Sequence, residues 1–137
     1  MVTRFFYALI FVILSFQSIA QTEHIRKSIY FPGGQYYITP YQLNELHQFL
    51  DSIPELSHFN ITIHSHTDNI GGVSYNQWLS QMRSATTINE LIENNGIPLE
   101  SIEQKDFGQF NPVYDNNTPQ GRQMNRRVDI LFWPISL

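Results

Sequence analysis

The chain has 137 residues, 42% of them hydrophobic, with 8 basic against 12 acidic side chains and no Cys. That length builds one domain, since two halves would each be too small to bury a core unaided. The net charge of -4 argues against a nucleic-acid binder, which carries a basic surface, and a Cys-free chain contains no disulfide, thiolate zinc site, Cys nucleophile or lipidated Cys.

Residues 1–4 form a short positive start, and residues 5–16 are an unbroken apolar run. Ser18-Ile19-Ala20 then supplies the small residues that signal peptidase reads, so residues 1–20 are expected to be a secretory signal cleaved before Gln21. Twelve helical residues span about 18 Å, short of the roughly 30 Å hydrocarbon core, which argues against a membrane anchor. The mature chain, residues 21–137, loses Arg4, and no span is expected within it.

Residues 25–31 predict a strand, stopped by Pro32-Gly33-Gly34. Thr39 as N-cap, Pro40 at the first helical position and Gln42 as capping-box partner open a helix over 39–53, with Leu43, Leu46, Leu50 and Ile53 at helical spacing and Pro54 after them. Phe59, Ile61 and Ile63 alternate with Asn60, Thr62 and His64, the pattern of a half-buried strand. A loop follows at 68–72. Ser74 and Gln77 predict a second capping box, before a helix with Leu79, Met82, Ala85, Ile88 and Ile92 on one face and Asn95-Gly96-Ile97-Pro98 at its end. Residues 102–107 predict a third strand, 111–123 a polar loop, and 128–133 a last strand, apolar on both faces and therefore central or covered. The expected fold is α+β, order β-α-β-α-β-β, a two-layer sandwich of two helices on a mixed sheet.

Two constellations carry possible chemistry. His64, His66 and Asp68 share a face if the strand continues, which would suit a metal. The run from His64 to Gly72 resembles the H-x-H-x-D-H-x-G-G signature of the metallo-β-lactamase superfamily, with Asn69 where the third His belongs. The only other His residues are 24, 47 and 58, all upstream, so a metal-dependent hydrolase lacks ligands and no metal or cofactor is expected.

The second constellation runs through most of the mature chain. It comprises Thr67-Asp68, the helix segment Asn76-Gln77-Trp78-Leu79-Ser80-Gln81-Met82-Arg83, then Gly96-Ile97-Pro98, Phe107-Gly108, and Gly121-Arg122-Gln123-Met124-Asn125-Arg126-Arg127-Val128. These motifs, in this order, resemble the OmpA-like (OmpA/MotB/Pal) peptidoglycan-binding domain. Ser65 and Asp106 stand where that family usually has Gly, and Gln109 where an acidic residue is common.

The resemblance implies a non-catalytic module that holds the diaminopimelate of the peptidoglycan stem peptide, whose side chain ends in an ammonium and a carboxylate. Asp68 matches the family's ammonium-binding Asp, with Thr67 beside it, and Arg83 its carboxylate-binding Arg, whose planar fork makes two parallel bonds. Asn76, Ser80 and Arg83 fall on one helix face, and Arg127 matches the family's pocket-lining second Arg. The implied site is thus Asp68, Arg83, Asn76, Thr67 and Arg127. The implied partners are peptidoglycan and outer-membrane or envelope proteins, in the periplasm at the outer membrane or wall, with a homodimer as a further option. An assembly module that has lost wall binding is the other alternative.

Overall fold

The computed structural model describes residues 23–136, so the expected leader at 1–20 lies outside the described residues. The elements are β1 (Ile25–Tyr30), α1 (Pro40–Asp51), β2 (Phe59–His66), α2 (Val73–Glu93), β3 (Ile102–Gly108), α3 (Pro119–Asn125) and β4 (Arg127–Pro134). Single 3-10 turns at Leu56–His58 and Leu99–Ser101 lead into β2 and β3. The layering is α+β as expected, with three helices among the described residues rather than two.

Local signals account for most of this. Thr39 caps α1 by accepting the Gln42 amide at 3.4 Å, and Pro40 costs nothing at a position whose N–H has no helical partner. The capping box is only half made. The Gln42 side chain turns away to accept the Tyr30 amide at 3.1 Å, fastening α1 to β1. At α2 the expected Ser74/Gln77 box does not form: the N-cap is Gly72, without a side-chain bond, and the Gln77 amide donates to the Asp106 carbonyl of β3. Both glutamines satisfy a neighbouring strand instead of their own helix.

The third helix lies inside the stretch expected to be a loop. Thr118 accepts the Gly121 amide at 3.0 Å, with Pro119 at the first position, the signal that opens α1. Its seven residues are too short and too polar for an apolar period, so only the cap marks it. A Cβ on Gly121 would stand 1.7 Å from the Asp115 carbonyl oxygen, so only glycine lets the preceding loop lie this close.

The four strands form one sheet in the order β1-β4-β2-β3. β4 is antiparallel to both neighbours, with Ile29 opposite Val128 and Ile63 opposite Ile130, and β2 and β3 are parallel across the α2 crossover. β4, expected to be apolar on both faces, sends Val128, Ile130 and Phe132 into the core but carries Arg127 and Asp129 on its other face, and its central place keeps both faces buried. Helices α1 and α2 cover one sheet face, where Leu46, Leu50, Ile88 and Leu91 meet Ile29, Ile61, Ile63, Val128, Ile130 and Phe132 in a continuous core. Alternation along the strands turns Ser28, Thr62, His64, Arg127 and Asp129 to the opposite face.

Candidate functional site

At one end of the sheet the loop after β1, the loop after β2 and the first half of α2 enclose a cavity of about 290 Å³. Thr67 and Asp68 line it from the second loop, Gly33 and Gly34 from the first, Tyr75, Asn76, Leu79 and Arg83 from α2, and Arg126 from the turn before β4. Asp68, Thr67, Asn76 and Arg83 are therefore brought together. Arg127 and Ser80 do not line it.

Asp68 is fixed by its own loop. Its Oδ1 accepts the Ile70 amide at 3.0 Å, an Asx-type turn, and its Oδ2 accepts from Arg126 Nη1 at 3.2 Å. Thr67 Oγ1 donates to the Asp68 carbonyl, and the Thr67 amide donates to the Gly108 carbonyl, tying this loop to the end of β3. Gly71, at φ +97°, lies against Tyr75, where an added Cβ would stand 3.1 Å from the ring.

Arg83 rises from α2 to the cavity floor with 0% of its surface exposed. Its Nε, Nη1 and Nη2 donate to the carbonyls of Gln35 (2.8 Å), His66 (3.1 Å) and Pro32 (3.2 Å), and its guanidinium lies 5.2 Å from the Phe31 ring centroid. Among the described residues no carboxylate comes within 4.0 Å of it. Burial lowers its pKa to about 10, with the more distant Asp68 charge opposing the fall and Arg126 adding to it. It stays a cation at neutral pH, but one whose hydrogen-bond partners are all carbonyls.

Asn76 donates from Nδ2 to Gln109 Oε1 at 2.9 Å, so Gln109 supplies the acceptor where an acidic residue is common. Its Oδ1 is buried beside Gly71 and has no donor among the described residues. Ser80, on the same helix face, is spent on structure: its Oγ accepts the Gly108 amide and donates to the Gln77 carbonyl. The two departures from glycine stay outside the cavity, Ser65 buried within β2 and Asp106 accepting from Ser84 on α2 and from Gln104.

Arg127 lies elsewhere. On the sheet face opposite α1 and α2, its Nε donates to both Asp129 oxygens at 3.2 and 3.1 Å, and its guanidinium sits 5.5 Å from the Tyr114 ring. The cavity receives its neighbour Arg126, whose Nε also donates to the Phe31 carbonyl. The expectation that Arg127 lines the site is thus corrected: Arg127 opens β4 and turns to the other sheet face, and the residue before it faces the cavity in its place. His64, His66 and Asp68 do not converge either. His66 stacks on Phe107 at 5.0 Å, His64 meets the same ring edge-on at 5.3 Å, and among the described residues no three His, Cys, Asp or Glu side chains are grouped to hold a metal.

The OmpA family profile matches residues 30–126, which contain every wall of this cavity. The chain belongs to the OmpA family. It is 30% identical over 111 residues to outer membrane porin F of Pseudomonas fluorescens, covering 81% of this chain and 34% of the relative. It is 41% identical over 71 residues to the outer-membrane lipoprotein YfiB of Pseudomonas aeruginosa, covering 52% and 42% of the two chains. The chain thus spans well under two thirds of the relatives it matches. The crystal structure of the peptidoglycan-associated lipoprotein from Burkholderia pseudomallei superposes with a TM-score of 0.63 at 25% identity, covering 77% of this chain and 88% of that one. The helices here sit on a four-stranded mixed sheet, and the Thr67-Asp68 loop and Arg83 of α2 meet at one end of it.

A second hollow, of about 200 Å³, lies at the other end of β2 between Leu56, Phe59, Ile97 and Ile135. Its polar lining is limited to Ser57, Asn95 and Ser101, none of them charged, so it offers no counter-ion to a charged ligand.

Proposed function

We propose that the chain binds peptidoglycan non-covalently, taking the zwitterionic end of a diaminopimelate side chain into the cavity between Asp68 and Arg83. The observation that carries this is the state of Arg83, a buried cation on a cavity floor with carbonyl partners and, among the described residues, no carboxylate within 4.0 Å. A ligand carboxylate supplies the missing anion in a setting where the interaction is weakly screened. Asp68 takes the ammonium, with the free Asn76 Oδ1 as a second acceptor. Arg126, at the mouth, is released from Asp68 as the ammonium enters and shares the carboxylate with Arg83. The chemistry is recognition alone, with no nucleophile or general base required.

The name of the structurally similar peptidoglycan-associated lipoprotein supports this reading, as does the outer-membrane placement of porin F and YfiB. In it, residues 1–20 direct export and are removed, and residues 21–137 work in the periplasm, attaching envelope components to the wall.

The test is a pull-down on purified sacculi with free diaminopimelate as competitor. Wild type should sediment with the wall and be released by the competitor. Asp68→Asn, which keeps the shape but removes the charge, should bind roughly ten- to a hundredfold more weakly, the loss of one charge-assisted contact. Wild-type retention that free diaminopimelate leaves untouched would overturn the assignment.

A further inference from the structure

Beside the cavity, Tyr36, Tyr75 and Trp78 make an exposed aromatic surface. We propose that this surface is a second subsite, a platform for a sugar ring of the glycan strand. The proposal rests on the cavity reading above and extends it from the stem peptide to the carbohydrate.

Tyr75 belongs to both places. It lines the cavity, and its ring centroid lies 5.7 Å from that of Trp78 at an inclination of 35°. Tyr36 meets Trp78 edge-on at 5.8 Å and 85°, and reaches it from the loop whose Gly33 and Gly34 wall the cavity. The exposures are 38% for Tyr36 and 45% for Tyr75 and Trp78. Single exposed aromatics are ordinary on a protein surface, whereas three joined through Trp78 leave a connected apolar area in water.

Geometry and chemistry select the occupant. In peptidoglycan the diamino acid is the third residue of the stem, so two residues separate it from the sugar that carries the peptide. Two extended residues reach about 7 Å, and the γ-linkage of the second residue, the diamino acid's side chain and the sugar's lactyl group lengthen the tether beyond that. The platform starts at Tyr75 in the cavity wall and continues by ring-to-ring steps of 5.7 Å to Trp78 and 5.8 Å to Tyr36, within reach of a ligand tethered in the cavity. A pyranose has an apolar face of C–H groups and a rim of hydroxyls. Tyr and Trp rings offer flat apolar faces with a polar atom at the edge, so the two fit in both respects.

Calorimetry with two ligands tests this: a synthetic stem tripeptide ending in diaminopimelate, and the same tripeptide carried on its disaccharide. Wild type should bind the disaccharide form roughly three- to tenfold more tightly, the size of one aromatic contact. Trp78→Ala should abolish that advantage while leaving tripeptide affinity and melting temperature unchanged. Tyr36→Ala, from a different element, should reduce the advantage independently. Equal wild-type affinities for the two ligands, or an advantage that survives in Trp78→Ala, would remove the platform and leave the cavity reading intact. Failure of both ligands to bind would remove the cavity reading and the platform with it. Sedimentation showing a wild-type dimer that Trp78→Ala dissolves would assign the surface to self-association and overturn the proposal.

Discussion

The cavity end of the sheet and the face opposite α1 and α2 each bury an arginine, and they treat it in opposite ways. Arg127 meets Asp129 within its own strand, and Ser28 Oγ donates to the same carboxylate at 2.7 Å. That group is closed, since cation and anion compensate each other. Arg83 is buried just as fully but meets only carbonyls, beside an open volume. A buried charge whose opposite is already present serves the fold, whereas one whose opposite is missing is prepared for a ligand that brings it.

Arg127→Ala makes the largest change. It strands the Asp129 carboxylate in a buried setting and should cost about 3–5 kcal/mol in denaturant unfolding. Replacing Arg127 and Asp129 together by Leu should recover most of that loss, because two apolar side chains leave no uncompensated charge. Sacculus binding per folded molecule should be unaffected in the double variant. Lost binding at full folding would place Arg127 in recognition and erase the contrast between the two regions.

Arg83→Lys probes the other side. The charge stays, but a single ammonium cannot reach the carbonyls of Pro32, Gln35 and His66 while also presenting a planar fork. Wall binding should fall by one to two decades, about 1.5–3 kcal/mol, with a smaller drop in melting temperature. Wild-type binding by the Lys variant would mean that Arg83 only braces the loop after β1.

The smallest effect concerns pH and again separates the two regions. Burial, aided by the nearby Arg127 charge and partly opposed by Asp129, lowers the His66 pKa to about 4, and burial followed by Lys105 lowers that of His64. Both rings stay neutral where an unfolded-chain histidine, near 6.5, takes a proton. The unfolded state therefore binds more protons over this range. Stability is fully present above about 6.5 and declines as pH falls toward 4. Melting curves between pH 7 and 4.5 should show this decline in wild type. It should be shallower in His66→Phe, which keeps the stack on Phe107 without the titration. Equal slopes would mean that other groups control acid stability.

The sequence by itself determined the elements whose signals are local. Thr39-Pro40 starts α1, the alternation at 59–64 marks β2, and Gly96-Ile97-Pro98 follows the end of α2, each within a few residues of chain. The motif resemblance likewise named Asp68, Thr67, Asn76 and Arg83, which the folded chain gathers around one cavity. Only the tertiary structure decided which of two consecutive arginines enters that cavity. Successive side chains diverge at the start of a strand, and the choice depends on where β4 begins and how it registers against β1 and β2. Tertiary partners also diverted Gln42, Gln77 and Ser80 from their local roles, because a strand amide or carbonyl brought near by folding must be satisfied as fully as a helix end. Seven polar residues hold α3 with a Thr cap and a glycine that fits against Asp115, and that contact exists only once the loop has closed. The lack of a carboxylate beside Arg83 among the described residues is of the same kind: it is visible only once the neighbouring loops have folded around the guanidinium.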